Sequence, residues 1–142
     1  VPVGWAAADP SLRAALPVML LVYAACIAWT LGYDSIYAAQ DVEDDALAGV
    51  KSSARALGPR LKPTVGAFYA ATILLLAAAL WRWTGQPLLM AGLLPAAAHL
   101  GLQVTRFDPA DVRSALGQFR ANQWTGAWLV LPILLAALAQ AA

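Results

Sequence analysis

The chain has 142 residues, of which 61% are hydrophobic and only 12% charged, about half the roughly 25% charged residues of an average soluble domain. This composition excludes an ordinary soluble domain and predicts an integral membrane protein. A formal net charge of +1, with basic residues scattered rather than gathered into a stripe, gives no case for nucleic-acid binding. Cys26 is the single cysteine, so no disulfide framework exists and the residue reads as a small packing group.

In chain order, Val1 to Ala8 reads as the stub of a helix, with no initiator Met, basic n-region or cleavage site ahead of it, so the expectation is a fragment cut within a helix. A bilayer core needs about 20 apolar residues per helix. Four full spans meet that requirement at about Ala14 to Tyr33, Thr64 to Trp83, Pro87 to Gln103 and Trp124 to Ala142. The expected fold is therefore all-α, a multi-span transmembrane bundle forming a single domain over 1–142. Pro17 and Pro132 are expected near helix starts, where a missing N–H matters least, and Pro95 is expected to kink the third span.

Orientation follows from the basic residues between spans. Lys51, Arg55, Arg60 and Lys62 follow the first span and Arg106, Arg113 and Arg120 follow the third, against only Arg13 and Arg82 on the other side. The excess predicts that the first and third loops face the cytoplasm and that the C-terminus faces outward. Trp81, Trp83, Trp124 and Trp128 fall near span ends, where aromatic anchors belong.

Directly after the first span, Asp34 to Lys51 reads DSIYAAQDVEDDALAGVK and carries five acidic side chains. Charge beside a bilayer is costly and usually marks an ion or substrate site. At helical spacing Asp34, Tyr37, Asp41, Asp45 and Ala48 share one face. Asp41 and Asp45 form a DxxxD pair, and carboxylates four residues apart repel unless a cation lies between them. Magnesium, which binds through one or two carboxylates plus substrate phosphates, is the expected cation, with Asp41 and Asp45 as its ligands. Glu43 and Asp44 fall on neighbouring faces and read as solvated. Asp34 reads either as an outer ligand or as a helix-end residue.

Gly49 is expected to break the acidic helix, with a short helix following until Gly58 and Pro59 and capped by Ser52 or Ser53. That arrangement folds Lys51 and Arg55 back toward the acidic cluster. Lys51 then either contacts diphosphate oxygens as a compact charge or simply obeys the charge bias of its loop. His99 has no second His, Cys or carboxylate at ligand spacing, which favours a hydrogen-bonded histidine over a metal ligand. Arg120 and Asn122, at the start of the last span, read as interfacial anchors within reach of the same face.

The segment YDSIYAAQDVEDDALAGVKSSARALG, Tyr33 to Gly58, resembles the second aspartate-rich motif of the UbiA superfamily of intramembrane prenyltransferases, most closely its 4-hydroxybenzoate polyprenyltransferase branch. The match to YDxxYAxQDxxDDxxxGxKSxA takes in Tyr33, Asp34, Tyr37, Ala38, Gln40, Asp41, Asp44, Asp45, Gly49, Lys51, Ser52 and Ala54. Weaker likenesses lie in GWAA, from Gly4 to Ala7, and in FRANQWTG, from Phe119 to Gly126. The resemblance implies that the chain is the C-terminal half of a nine-helix fold. It also implies transfer of a polyprenyl group from polyprenyl diphosphate to the carbon ortho to the hydroxyl of 4-hydroxybenzoate, on the route to ubiquinone, in a bacterial inner membrane.

Under that reading Asp41, Asp45 and Lys51 serve the reaction, and Asp34, Tyr37, Lys51 and Arg55 bind substrate. Magnesium would neutralise the departing diphosphate, and the faces of Tyr33 and Tyr37 would attract passing positive charge. Two alternatives stand beside it. One is a sibling enzyme acting on homogentisate, a naphthoate or haem. The other is a cation transporter, which the clustering of acids at one end disfavours, since transporters place such groups near mid-membrane. The family's first motif, NDxxDxxxD, and its basic YxxxK segment have no counterpart here. The missing N-terminal half is therefore an expected partner, and this chain by itself is expected to be inactive.

Overall fold

The computed structural model describes Gly4 and residues 16–141, and among those residues the regular structure is all helix, joined by short turns, with no strand. The expected stub at Val1 to Ala8, the GWAA segment and Arg13 lie outside the described residues, apart from Gly4. Seven α-helices follow in order: α1 (Leu16–Ala38), α2 (Val42–Leu47), α3 (Ser53–Leu57), α4 (Leu61–Thr84), α5 (Pro87–Ala91), α6 (Leu94–Arg106) and α7 (Val112–Ala141), with a 3-10 turn, Gly58–Arg60, between α3 and α4. Among the described residues, four stretches are long and apolar enough to cross a membrane: Leu16–Ala38, Ser53–Thr84, Pro87–Arg106 and Val112–Ala139. With the composition, they make this an integral membrane protein.

The helices extend past the apolar spans that length alone defines. The last begins at Val112 rather than Trp124, because Asp111 accepts a 2.9 Å bond from the Arg113 N–H through its side chain and caps a polar first turn. Pro132 consequently lies deep inside α7 rather than near its start. Its missing N–H leaves the carbonyl four residues earlier without its helical donor, and the ring is fully buried. Pro95 does not kink a continuous helix either. The third span breaks at Gly92 and Leu93, and Pro95 occupies the first turn of α6, where its fixed φ suits a helix start.

Gly85 ends α4 in the left-handed conformation, φ 66°, with its N–H on the Trp81 carbonyl at 2.9 Å. Small residues then let the helices approach. α1 packs mainly along α4, with Gly32 beneath the Tyr69 ring so closely that a Cβ there would stand 2.5 Å from Tyr69 Cε1. Gly92 sits on Pro132 in the same way, its would-be Cβ 2.9 Å from the proline's.

Two apolar clusters divide the bundle along its length. One, around Ile36, Ala39, Ala54, Tyr69, Leu100 and Phe107, lies at the end that carries the acidic loop. The other, around Ala25, Leu76, Leu93, Leu129 and Ala136, fills the opposite half. Because Phe107 shares a cluster with Ala39 and Ala54, and the Lys62 ammonium donates to the Thr105 carbonyl at 3.1 Å, the first and third loops meet at one end, as the count of spans requires.

Candidate active site at the acidic end of the bundle

The acidic motif does not fold as the single helical face that its spacing predicts. α1 stops at Ala38, and a turn closed by Ala39 N–H on the Ile36 carbonyl (3.1 Å) and Gln40 N–H on the Tyr37 carbonyl (3.0 Å) redirects the chain. Ile36 and Ala39, on either side of this break, are both buried in the apolar cluster with Ala54. Asp34 and Tyr37 thus belong to the end of α1. Asp41 stands at the N-cap of α2 and Asp45 lies within it.

The DxxxD pair nevertheless keeps its one-turn spacing, for the Asp45 N–H donates to the Asp41 carbonyl at 2.7 Å. Glu43, Asp44 and Asp45 fill the first turn of α2, where the positive end of the helix dipole favours carboxylates. Among the described residues no three His, Cys, Asp or Glu side chains come together as a complete metal site. Two carboxylates one turn apart fit a magnesium ion that takes its remaining oxygens from phosphate, water or another segment.

The basic side of the loop is built differently from the expectation. Gly49 turns the chain with φ 71°, and α3 follows as the short helix foreseen after it. Arg55 does fold back to the acidic helix, but onto backbone: its Nη1 donates to the Asp45 carbonyl at 2.9 Å and to the Val50 carbonyl. A guanidinium on the last carbonyls of α2 also offsets the negative end of that helix. Lys51 is exposed and, among the described residues, its ammonium has no partner. Ser52 occupies the N-cap of α3 without making the capping bond. Its Oγ and the Gln40 Nε2 are buried with no hydrogen-bond partner among the described residues.

Beside this loop an aromatic wall rises from α1 and α7. The Tyr37 and Phe119 rings are 4.9 Å apart, Tyr33 and Phe119 6.1 Å, and Trp29 meets Tyr33 edge-on at 5.6 Å. It flanks an open groove of about 580 Å³ lined by Trp29, Tyr33, Phe119, Arg120, Asn122 and Gln123.

Behind the groove runs a polar network that spacing rules do not find, because its members come from four helices. Trp29 Nε1 donates to Asn122 Oδ1 at 3.0 Å, and the Asn122 amide is 3.3 Å from the Tyr69 hydroxyl, which in turn donates to Gln103 Oε1 at 3.1 Å. Gln103 Nε2 donates to Thr125 Oγ1 at 2.8 Å, and His99 Nδ1 lies 2.9 Å from the same hydroxyl. His99 is therefore the hydrogen-bonded histidine the sequence indicates. Asn122 is buried in this network rather than anchored at the interface, whereas Arg120 is exposed in the groove. One signal did exist: Gln103, Asn122 and Thr125 are polar residues in otherwise apolar helices, where each needs a partner.

A multi-span helical membrane protein that gathers a DxxxD pair, a lysine-bearing loop and an aromatic groove at one end is the class that fold and site define. The chain belongs to the UbiA prenyltransferase family, whose model matches residues 1–126. It is 36% identical over 129 residues, 87% of this chain and 34% of the relative, to a mitochondrial 4-hydroxybenzoate polyprenyltransferase of Caenorhabditis elegans. It is 34% identical over 132 residues, 93% of this chain and 32% of the relative, to the protein of the same name in Arabidopsis thaliana. Against a 4-hydroxybenzoate octaprenyltransferase of Pseudomonas aeruginosa it is 34% identical over 106 residues, 75% of this chain and 36% of the relative. The chain thus spans about a third of the length of the curated relatives it matches. No solved structure matches it.

Proposed function

We propose that this chain forms one wall of a magnesium-dependent prenyltransferase that moves a polyprenyl group from polyprenyl diphosphate to the ring carbon ortho to the hydroxyl of 4-hydroxybenzoate. The observation that carries this reading is the Tyr33 to Gly58 motif, folded so that Asp41 and Asp45 stand one turn apart at the end of a membrane bundle. The relatives' names supply the acceptor. Asp41 and Asp45 would hold the metal, which when bound supplies positive charge against the departing diphosphate. Lys51, exposed and unpartnered among the described residues, would meet the diphosphate oxygens as a compact positive charge.

In the transfer the allylic C–O bond breaks and its electron pair leaves with the diphosphate. The ring carbon donates a pair to the allylic carbon, and the proton on that ring carbon is lost. What this chain contributes is an aromatic surface: the Tyr33 and Tyr37 rings each pack against Phe119 beside the acidic loop, where aromatic faces attract positive charge. Arg55 shapes the loop by holding the Asp45 and Val50 carbonyls. We place the acidic end at the cytoplasmic face of a bacterial inner membrane, on the excess of basic residues in its two loops. A further segment of the same protein, bearing the other aspartate-rich motif, completes the site. The test is prenylated 4-hydroxybenzoate formed by the complete enzyme as magnesium is titrated, with turnover expected to vanish on chelation; turnover unaffected by chelation contradicts the proposal.

A further inference from the structure

A second groove opens between α4 and α6, two helices that contribute no side chain to the aromatic groove between α1 and α7. Its volume is about 450 Å³, and its lining is apolar apart from Tyr69, whose hydroxyl is committed to Gln103 at 3.1 Å. Small residues open it. Gly66 and Ala70 line it from α4 and Ala97 and Gly101 from α6, and a Cβ on Gly101 would meet nothing within 4 Å. Leu74, 70% exposed, closes its far end. From Gly66 to Leu74, at about 1.5 Å per residue, the groove runs roughly 12 Å, close to one leaflet's share of a hydrocarbon core about 30 Å thick.

At the loop end this groove meets cations. Gly66 lies one helical turn beyond Lys62, and Val104, which a Cβ on Gly66 would approach to 3.6 Å, directly precedes Thr105. The Lys62 ammonium donates to the Thr105 carbonyl at 3.1 Å, which holds it across the mouth of the groove with two of its three protons unused. Arg106 ends α6 and Arg60 stands at the N-cap of α4. Both are exposed, and neither side chain has a partner among the described residues. The first turn of α4 holds no acidic residue, so the positive end of that helix dipole adds to the field. Asp108 and Asp111, in the loop that follows Arg106, each accept a backbone N–H of their own turn, from Ala110 at 3.0 Å and Arg113 at 2.9 Å, and pair with none of these cations.

We infer that this groove binds an anionic phospholipid of the surrounding bilayer, with one acyl chain laid between α4 and α6 and the phosphate held by Lys62 and Arg106. An apolar trough of one leaflet's depth with unpaired cations at its headgroup end complements both halves of such a molecule. A protein helix, from elsewhere in this protein or from a second copy, would cover the trough and leave the cations unpaired. A free phosphate would answer the cations and leave the trough empty. The site asks nothing of the acidic loop or of prenyl transfer, so it stands apart from the proposed function.

The test titrates the complete enzyme, purified in detergent, with phosphatidylglycerol and with phosphatidylcholine of the same acyl chains, and reads bound lipid and protein copy number by native mass spectrometry. The parent should bind phosphatidylglycerol at least about tenfold more tightly, and the double variant Lys62→Gln, Arg106→Gln should lose about tenfold to thirtyfold and fall to the phosphatidylcholine level. Gly101→Leu and Ala70→Leu, which fill the trough and leave the cations in place, should each weaken both lipids several-fold. Arg113→Gln, a basic residue at the same end but outside the groove, should match the parent, and inorganic phosphate should not displace the lipid. Thermal midpoints measured without lipid identify the variants that fold, and the two trough variants stand in for each other. Equal phosphatidylglycerol affinity in the double variant and the parent overturns the inference, as does full affinity in a folded trough variant or displacement by phosphate. A trough variant that keeps its lipid but changes the protein copy number gives the groove to a second copy and overturns it too.

Discussion

Asp41 and Asp45 are joined by a 2.7 Å backbone bond that fixes them one turn apart, so each can be neutralised without disturbing the other's place. In the complete enzyme Asp41→Asn and Asp45→Asn should each lower prenyl transfer by a factor of about 100 or more while membrane insertion stays intact, since removing one charged ligand weakens metal and diphosphate capture together. Turnover assayed at limiting magnesium is the check, and near-parental rates in both single variants would show that the pair holds no metal. Gly32 is a different kind of residue, important for absence of bulk. A Cβ there would meet Tyr69 Cε1 at 2.5 Å, and Tyr69 is held in place by Gln103 and Asn122. Gly32→Ala should therefore cost about 1–3 kcal/mol by overpacking, read as a lowered thermal midpoint in detergent. A double variant with Tyr69→Phe should recover little, because the clash is with the ring and not the hydroxyl.

At the scale of elements, the loop between α1 and α4 decides whether the acidic pair is presented. Gly49 sits at φ 71°, a conformation that an L side chain adopts only with strain, and the Arg55 guanidinium bridges the carbonyls on either side of the turn. Gly49→Ala and Arg55→Gln are both expected to raise the magnesium concentration for half-maximal activity several-fold while leaving the 4-hydroxybenzoate KM unchanged. An acceptor effect without a magnesium effect would place these residues elsewhere in the mechanism. The sequence was legible here to a definite depth. Apolar length located the four spans, Gly49 and Gly58 marked the ends of the short helices, and the motif named the acidic pair. It did not reveal that the helix breaks at Ala38, where Ile36 and Ala39 share a buried cluster with Ala54 and Phe107, residues distant in sequence. The Trp29–Asn122 bond, which shapes the groove, joins residues 93 apart and was hidden for the same reason.

For the molecule as a whole, the joining of the first and third loops at one end, through Phe107 and the Lys62 to Thr105 bond, agrees with the alternation of spans. The proposed cytoplasmic placement of that end, argued from its excess of basic residues, can be tested directly. A cysteine at exposed Ser53 should escape a membrane-impermeant thiol reagent in intact cells, and one added after Ala142 should react; the reverse pattern would invert the assignment. Under the proposed function, another segment of the protein would complete the site beside the groove and the Asp41–Asp45 pair. Helices can associate in lipid after separate insertion, so the halves of such a site can be supplied on two chains.

The most direct measurement is formation of prenylated 4-hydroxybenzoate by membranes from a host lacking its own enzyme. Membranes carrying Val1 to Ala142 alone should contain the inserted protein and no product, and coexpression with the segment bearing the other aspartate-rich motif should restore product that is lost again with Asp45→Asn. Robust product from the chain alone, or product that survives Asp45→Asn in the restored pair, would contradict the account.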